Sequence, residues 1–175
     1  NAYFAGIANY DYAALSATID KTRTIAFSLI RFGIDDIPDT SELIDKDGNI
    51  NYDRVKSFSA VDWGFLFSYG HATPVAGLRV GGNAKVIHRI AGDFAKAWGF
   101  GIDLAAQYDH ADWLFGATLR DATTTFNAWS FNTEKLADVF ARTQNELPES
   151  SLELTLPKLL LGVGKKFNLP KKFSI

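Results

Sequence analysis

Apolar and polar residues alternate along most of this chain with a period of two. The clearest run is 61–69, where Val61, Trp63, Phe65, Phe67 and Tyr69 alternate with Asp62, Gly64, Leu66 and Ser68. Successive side chains on a strand point to opposite faces, so one face is bulky and the other small or polar. Beyond a short turn at 70–74, residues 75–90 repeat the pattern. Leu78, Val80, Gly82, Ala84, Val86, His88 and Ile90 share one face, and Arg79, Gly81, Asn83, Lys85, Ile87 and Arg89 the other.

The same period predicts strands at 8–19, 23–32, 97–108, 113–120 and 151–167, with Pro157 as a bend or bulge in the last. Residues 20–22, 109–112 and 168–172 read as short polar turns, and 91–96 as a connection. A long acidic loop is predicted over 33–56 and a second excursion over 121–150. The latter carries a short helix at 133–142, capped by Asn132 or Thr133. No linker, low-complexity run or short repeat divides residues 1–175, which predicts a single all-β domain.

The connections sharpen that reading. In an up-and-down meander every second connection lies at the same end of the sheet. Here one end receives only tight turns and the other the two long excursions, the asymmetry of outer-membrane barrels. The strands also exceed the usual globular length and suit a tilted membrane strand. Trp63, Tyr69, Trp98, Tyr108 and Trp113 stand toward strand ends on the apolar face, as an interfacial girdle requires. The opposite face is glycine-rich and charged in both signs, as a barrel lumen would be. The expectation is an antiparallel up-and-down transmembrane β-barrel. A soluble β-sandwich or lipocalin-like barrel shows the same alternation on its core face.

Composition narrows the chemistry. A chain of 175 residues with 14% aromatics suffices for one domain. The net charge of −2 and the lack of a basic stripe give no pointer to nucleic acid. With no cysteine there is no disulfide, zinc-thiolate site or cysteine nucleophile. The chain opens at Asn1 without methionine, and its last residues read as the start of another strand. It is therefore expected to be an internal piece of a longer polypeptide.

Several stretches carry a resemblance. They are Ser57-Phe58-Ser59-Ala60-Val61-Asp62, residues 78–90, Trp98-Gly99-Phe100-Gly101-Ile102-Asp103-Leu104, and the run from Leu119-Arg120-Asp121 to Trp129. From about Ala8 onward the chain resembles the PorV/PorQ family of Bacteroidetes outer-membrane proteins, which belongs with the fatty-acid-transporter-like barrels. The resemblance implies a barrel of about fourteen strands, of which this chain would supply about seven or eight. It implies a non-enzymatic role in type IX secretion at the Gram-negative outer membrane. The implied partners are outer-membrane lipid, the type IX translocon, the sortase and the C-terminal domains of secreted cargo. The family's N-terminal segment and later strands have no counterpart in this chain.

Two groups of residues are candidate sites. Ile34, Asp35, Asp36, Ile37, Leu43 and Ile44 in the first loop, with Phe126, Trp129, Phe131 and Phe140 in the second, form the expected partner-binding surface. Apolar side chains in exposed loops need cover or a partner. Asp62, Arg79, Asn83, Lys85, Arg89, Asp103 and Arg120 form an expected lumen network, tolerable only if paired or wet. Asp45-Lys46-Asp47-Gly48-Asn49 with Asp53 resembles part of a calcium loop but lacks the closing glutamate, so it reads as a solvated acidic turn. His71, His88 and His110 lack metal spacing, and Ser16, Ser28, Ser59 and Ser68 lack a nucleophile-elbow context. No catalytic residue, metal or cofactor is predicted. A second functional reading is a transporter of hydrophobic small molecules such as fatty acids, with Gly81, Gly99 and Gly101 permitting a kink.

Overall fold

The computed structural model describes residues 2–4, 7–45, 47–143, 146 and 151–167. It is an antiparallel up-and-down sheet of ten strands, not closed on itself. In chain order the elements are β1 (Ala2–Phe4), β2 (Ala8–Thr18), β3 (Arg23–Asp39), β4 (Lys56–Ala72), β5 (Leu78–Ala91), β6 (Ala95–His110), β7 (Trp113–Arg120) and β8 (Thr125–Phe131). Then follow α1 (Thr133–Thr143), β9 (Ser151–Thr155) and β10 (Lys158–Lys165).

The tight turns have local causes. Between β2 and β3, the Asp20 carboxylate accepts from the backbone N–H groups of Thr22 and Arg23. The Arg23 guanidinium and the Thr22 N–H hold its carboxyl well below the usual carboxylate range. At the start of α1, the Asn132 side chain accepts from the Lys135 N–H at 3.3 Å, so Asn132 is the cap.

Both long excursions shrink. β3 continues to Asp39 and β4 begins at Lys56, so only 40–55 leaves the sheet. A bulge between Ile34 and Ile37 absorbs Asp35 and Asp36, the latter at φ 57°. The expected excursion over 121–150 begins with a strand, since β8 pairs with both β6 and β9. β7 and β8 act as one broken strand along β6. Leu119 faces Leu104, the Ala122 N–H reaches the Ile102 carbonyl at 2.8 Å, and Phe126 faces Phe100. Asp121 and Thr124, at φ 55° and 60°, turn the chain out of the sheet and back. Leu156 and Pro157 separate β9 from β10, as the proline predicts.

The two faces of the sheet are unlike. Phe27, Phe67, Ala84 and Ile102 lie in register across β3 to β6 on one face. That apolar face is exposed: Trp98 and Leu104 each keep 50% of their surface. At its long-loop end Trp63, His88 and Trp98 stand side by side. At its turn end are Tyr69, Tyr108 and Trp113, with the Lys165 ammonium 4.9 Å from the Trp113 ring centre. On the inner face the small and acidic positions along the first half of β6 are buried, with Ala97 at 1% and Asp103 at 9% exposure, whereas Tyr12, Arg79 and Gln107 on the same face stay exposed. The main contacts between elements are those of hydrogen-bonded neighbours, so among the described residues no second layer covers either face. Among the described residues, the buried apolar ones are Ala8, Ala95 and Ala97, whereas Asp103, Asp121, Thr125 and Asn127 are buried and polar. Along β6 and β8 burial is inverted relative to a soluble sandwich.

Candidate functional site on the charged inner face

The centre of the inner face is built around Lys85. Lys85 on β5 lies opposite Gly101 on β6, and β8 crosses the far side of that glycine. A Cβ on Gly101 would overlap the Thr125 hydroxyl and crowd the Lys85 stem, so the absent side chain makes the room. The ammonium bonds Asp103 at 2.8 Å and also Asp121. Asp103 accepts from the Asp121 backbone N–H at 2.8 Å and from the Asn83 amide at 3.4 Å. The Thr125 hydroxyl donates to Asp121 at 2.6 Å. One ammonium thus serves two carboxylates and ties the turn at Asp121 to the sheet wall. The hydroxyl in this cluster is 1% exposed, which denies it to a substrate.

A second cluster lies nearer the long loops. The Arg89 guanidinium meets Asp62 at 3.0 Å and Glu153 at 3.0 Å. It also sits 5.0 Å above the ring of Trp129, whose indole N–H donates to Glu153 at 2.9 Å. Arg79 pairs separately with Asp109 at 2.6 Å near the turn end.

The predicted lumen network therefore resolves into parts. Asn83, Lys85 and Asp103 meet in the first cluster, Asp62 and Arg89 in the second, and Arg79 stands apart. Arg120 is exposed, faces Lys158 across the strands, and joins none of the ion pairs among the described residues. Its expected place is taken by Asp121, because the strand turns off after Arg120. Asp121, Thr125 and Glu153 are the members that pattern reading missed. Glu153 was within reach, since it alternates with Leu152 and Leu154.

The expected loop surface also needs correction. Ile34, Asp35, Asp36 and Ile37 belong to β3, where Ile34 and Ile37 face Ala60 and Phe58 across the bulge. Phe126, Trp129 and Phe131 belong to β8. Phe126 lies on the apolar face opposite Phe100 and Leu154, whereas Trp129 and Phe131 turn inward and stack with ring centres 6.3 Å apart. Phe140 sits half-buried on α1. Leu43 and Ile44 remain in a true loop, whose tip is closed by a bridge between Ile44 and Ile50.

That loop explains the calcium-like string. One Asp45 oxygen accepts from the N–H groups of Asp47 and Asn49 at 2.9 and 2.8 Å, so the carboxylate is spent on its own turn. Lys46 lies outside the described residues, among which no group of three or more acidic or histidine side chains could hold a metal. The Asn49 N–H holds the Asp45 carboxyl below its usual range. A depressed value stabilises the folded turn above the ordinary carboxylate pKa, and that contribution is lost as pH falls through the lowered value. Asp45→Ala is expected to speed hydrogen exchange at the Asp47 and Asn49 amides at neutral pH, with added calcium making no difference. Slowing by calcium would restore the metal reading.

The chain matches no family model, and no curated protein or solved structure matches it.

Proposed function

We propose that this sheet is part of the wall of an outer-membrane β-barrel that works without catalysis, binding protein partners at its long-loop end. The single observation supporting the membrane reading is the inverted burial along β6, with its apolar face exposed and the Lys85 ion pairs buried on the opposite one. Lipid is the solvent that favours this arrangement, because a soluble sheet would hide the apolar face instead. The resemblance in residues 57–62, 78–90, 98–104 and 119–129 supports a role in type IX secretion of a Bacteroidetes-type cell. The partners would be the translocon, the sortase or cargo C-terminal domains. A fatty-acid transporter fits less well, since ion pairs occupy the middle of the inner face.

The corrected strand limits define the test. Excising residues 40–55, or α1, is expected to leave membrane insertion intact while co-purification of partners from native outer membranes falls by roughly tenfold or more. Partner binding that survives both excisions overturns the loop assignment. Recovery of the intact protein without detergent overturns the membrane reading.

A further inference from the structure

The apolar face ends, at the long-loop side, in a recess of about 610 Å³ lined by Lys96, Lys135, Asp93, Trp98, Ala128 and Ser130. Its shape comes from side-chain size. Ala128 stands between Trp98 on β6 and Leu152 on β9, so a furrow runs between two large side chains. Below it the exposed Phe100, Phe126 and Leu154 continue the apolar surface. The Trp98 indole is held by stacking on His88, with ring centres 4.1 Å apart.

The charges sit at the mouth of the furrow. Lys135, from the first turn of α1, binds Asp93 at 2.5 Å. Lys96 points from the apolar face of β6, lies opposite Ser130, and has no ion pair among the described residues. Two ammonium groups against one carboxylate leave a net positive charge where the hydrocarbon-facing surface stops. An indole beside it is the side chain suited to a headgroup boundary.

Resting on the membrane reading above, we infer that this recess binds an anionic phospholipid, its phosphate between Lys96 and Lys135 and one acyl chain along Ala128. A lone chain would need no cation, and a free phosphate would need no furrow, so the combination specifies the lipid. Lysines near an anionic headgroup contribute enough that removing each one weakens binding about fivefold.

The test uses the full-length protein in mild detergent, titrated with phosphatidylglycerol or phosphatidylcholine and read by native mass spectrometry. Phosphatidylglycerol is expected to bind preferentially. Lys96→Gln and Lys135→Gln should each lower that preference about fivefold, while Lys96→Arg keeps it. Lys56→Gln, which changes a lysine paired with Glu42 elsewhere, should leave it unchanged. Equal binding of the two lipids, or a preference indifferent to both lysines, overturns the inference. So does full displacement of the lipid by inorganic phosphate at equal concentration, which would mark a free-anion site. Insertion with no headgroup preference sinks this inference alone, whereas a protein soluble without detergent sinks the barrel reading with it.

Discussion

Exchanging Lys85 for methionine is expected to destabilise the folded sheet by about 3 kcal/mol, the cost of breaking a buried ion pair from one side. Methionine keeps much of the apolar stem and removes only the charge. Asp103 and Asp121, with side chains 13% and 7% exposed, then face each other without a cation. Each retains hydrogen bonds, to Asn83 and the Asp121 N–H in one case and to Thr125 in the other. Those bonds do not cancel the repulsion. The first structural consequence falls on β8, which Lys85 ties to the wall through Asp121, so exchange protection should drop at residues 125–131 before it drops in β4. Asp121→Asn alone should cost less, because Lys85 keeps Asp103. Adding it to Lys85→Met should recover part of the loss, since one of the two opposed charges is gone. Urea unfolding of the lipid-reconstituted protein measures all three. A loss under about 1 kcal/mol for Lys85→Met would show that the inner face is wet enough to screen the pair, as for exposed ion pairs.

The features legible in the sequence were those set by local periodicity. Trp63, Phe65 and Phe67, or Trp98, Phe100 and Ile102, define a face within one strand, and the structure keeps them together. Periodicity also placed Asp62, Arg89, Lys85 and Asp103 on the other face. It could not say which face is buried, because alternation is the same whether protein or lipid lies against the apolar side. It also failed where the backbone leaves the pleat. Asp121 and Thr124 take left-handed conformations without glycine, so nothing in 121–125 marks a brief detour between two halves of one strand. Alternation carried through that point selects Arg120 for the inner face, whereas the turn delivers Asp121. Trp129 and Phe131 were lost to the same error, and with them the Arg89 to Glu153 contact. That contact joins positions 64 residues apart and depends on the pairing register of four strands, β5, β6, β8 and β9.

An arginine moved along the apolar face of β6 is expected to cost most in the middle and little at the ends. Trp98 and Tyr108 are ten residues apart on this strand, roughly 33 Å at the usual rise. A tilt of about 40° reduces that to roughly 25 Å, the height of the apolar band on an outer-membrane barrel. Ile102 and Leu104 then lie near the midplane. Arginine at either should cost about 3 kcal/mol, falling to about 1 kcal/mol or less at Trp98 or Tyr108, near the two headgroup levels. The ranking separates the two environments that an exposed apolar face can have. In water, Leu104 is already 50% exposed, and exchanging an exposed side chain for arginine changes stability by about 0.5 kcal/mol or less at any depth. Against lipid, the cost follows distance from the midplane, because the guanidinium must thin the bilayer or reach for its surface. Stabilities of the six single variants from Trp98→Arg to Tyr108→Arg, measured by urea unfolding in the same lipid, give the profile. A peak at Ile102 and Leu104 supports the membrane wall. A flat profile removes it, and the inverted burial would then require a protein partner over the whole apolar face.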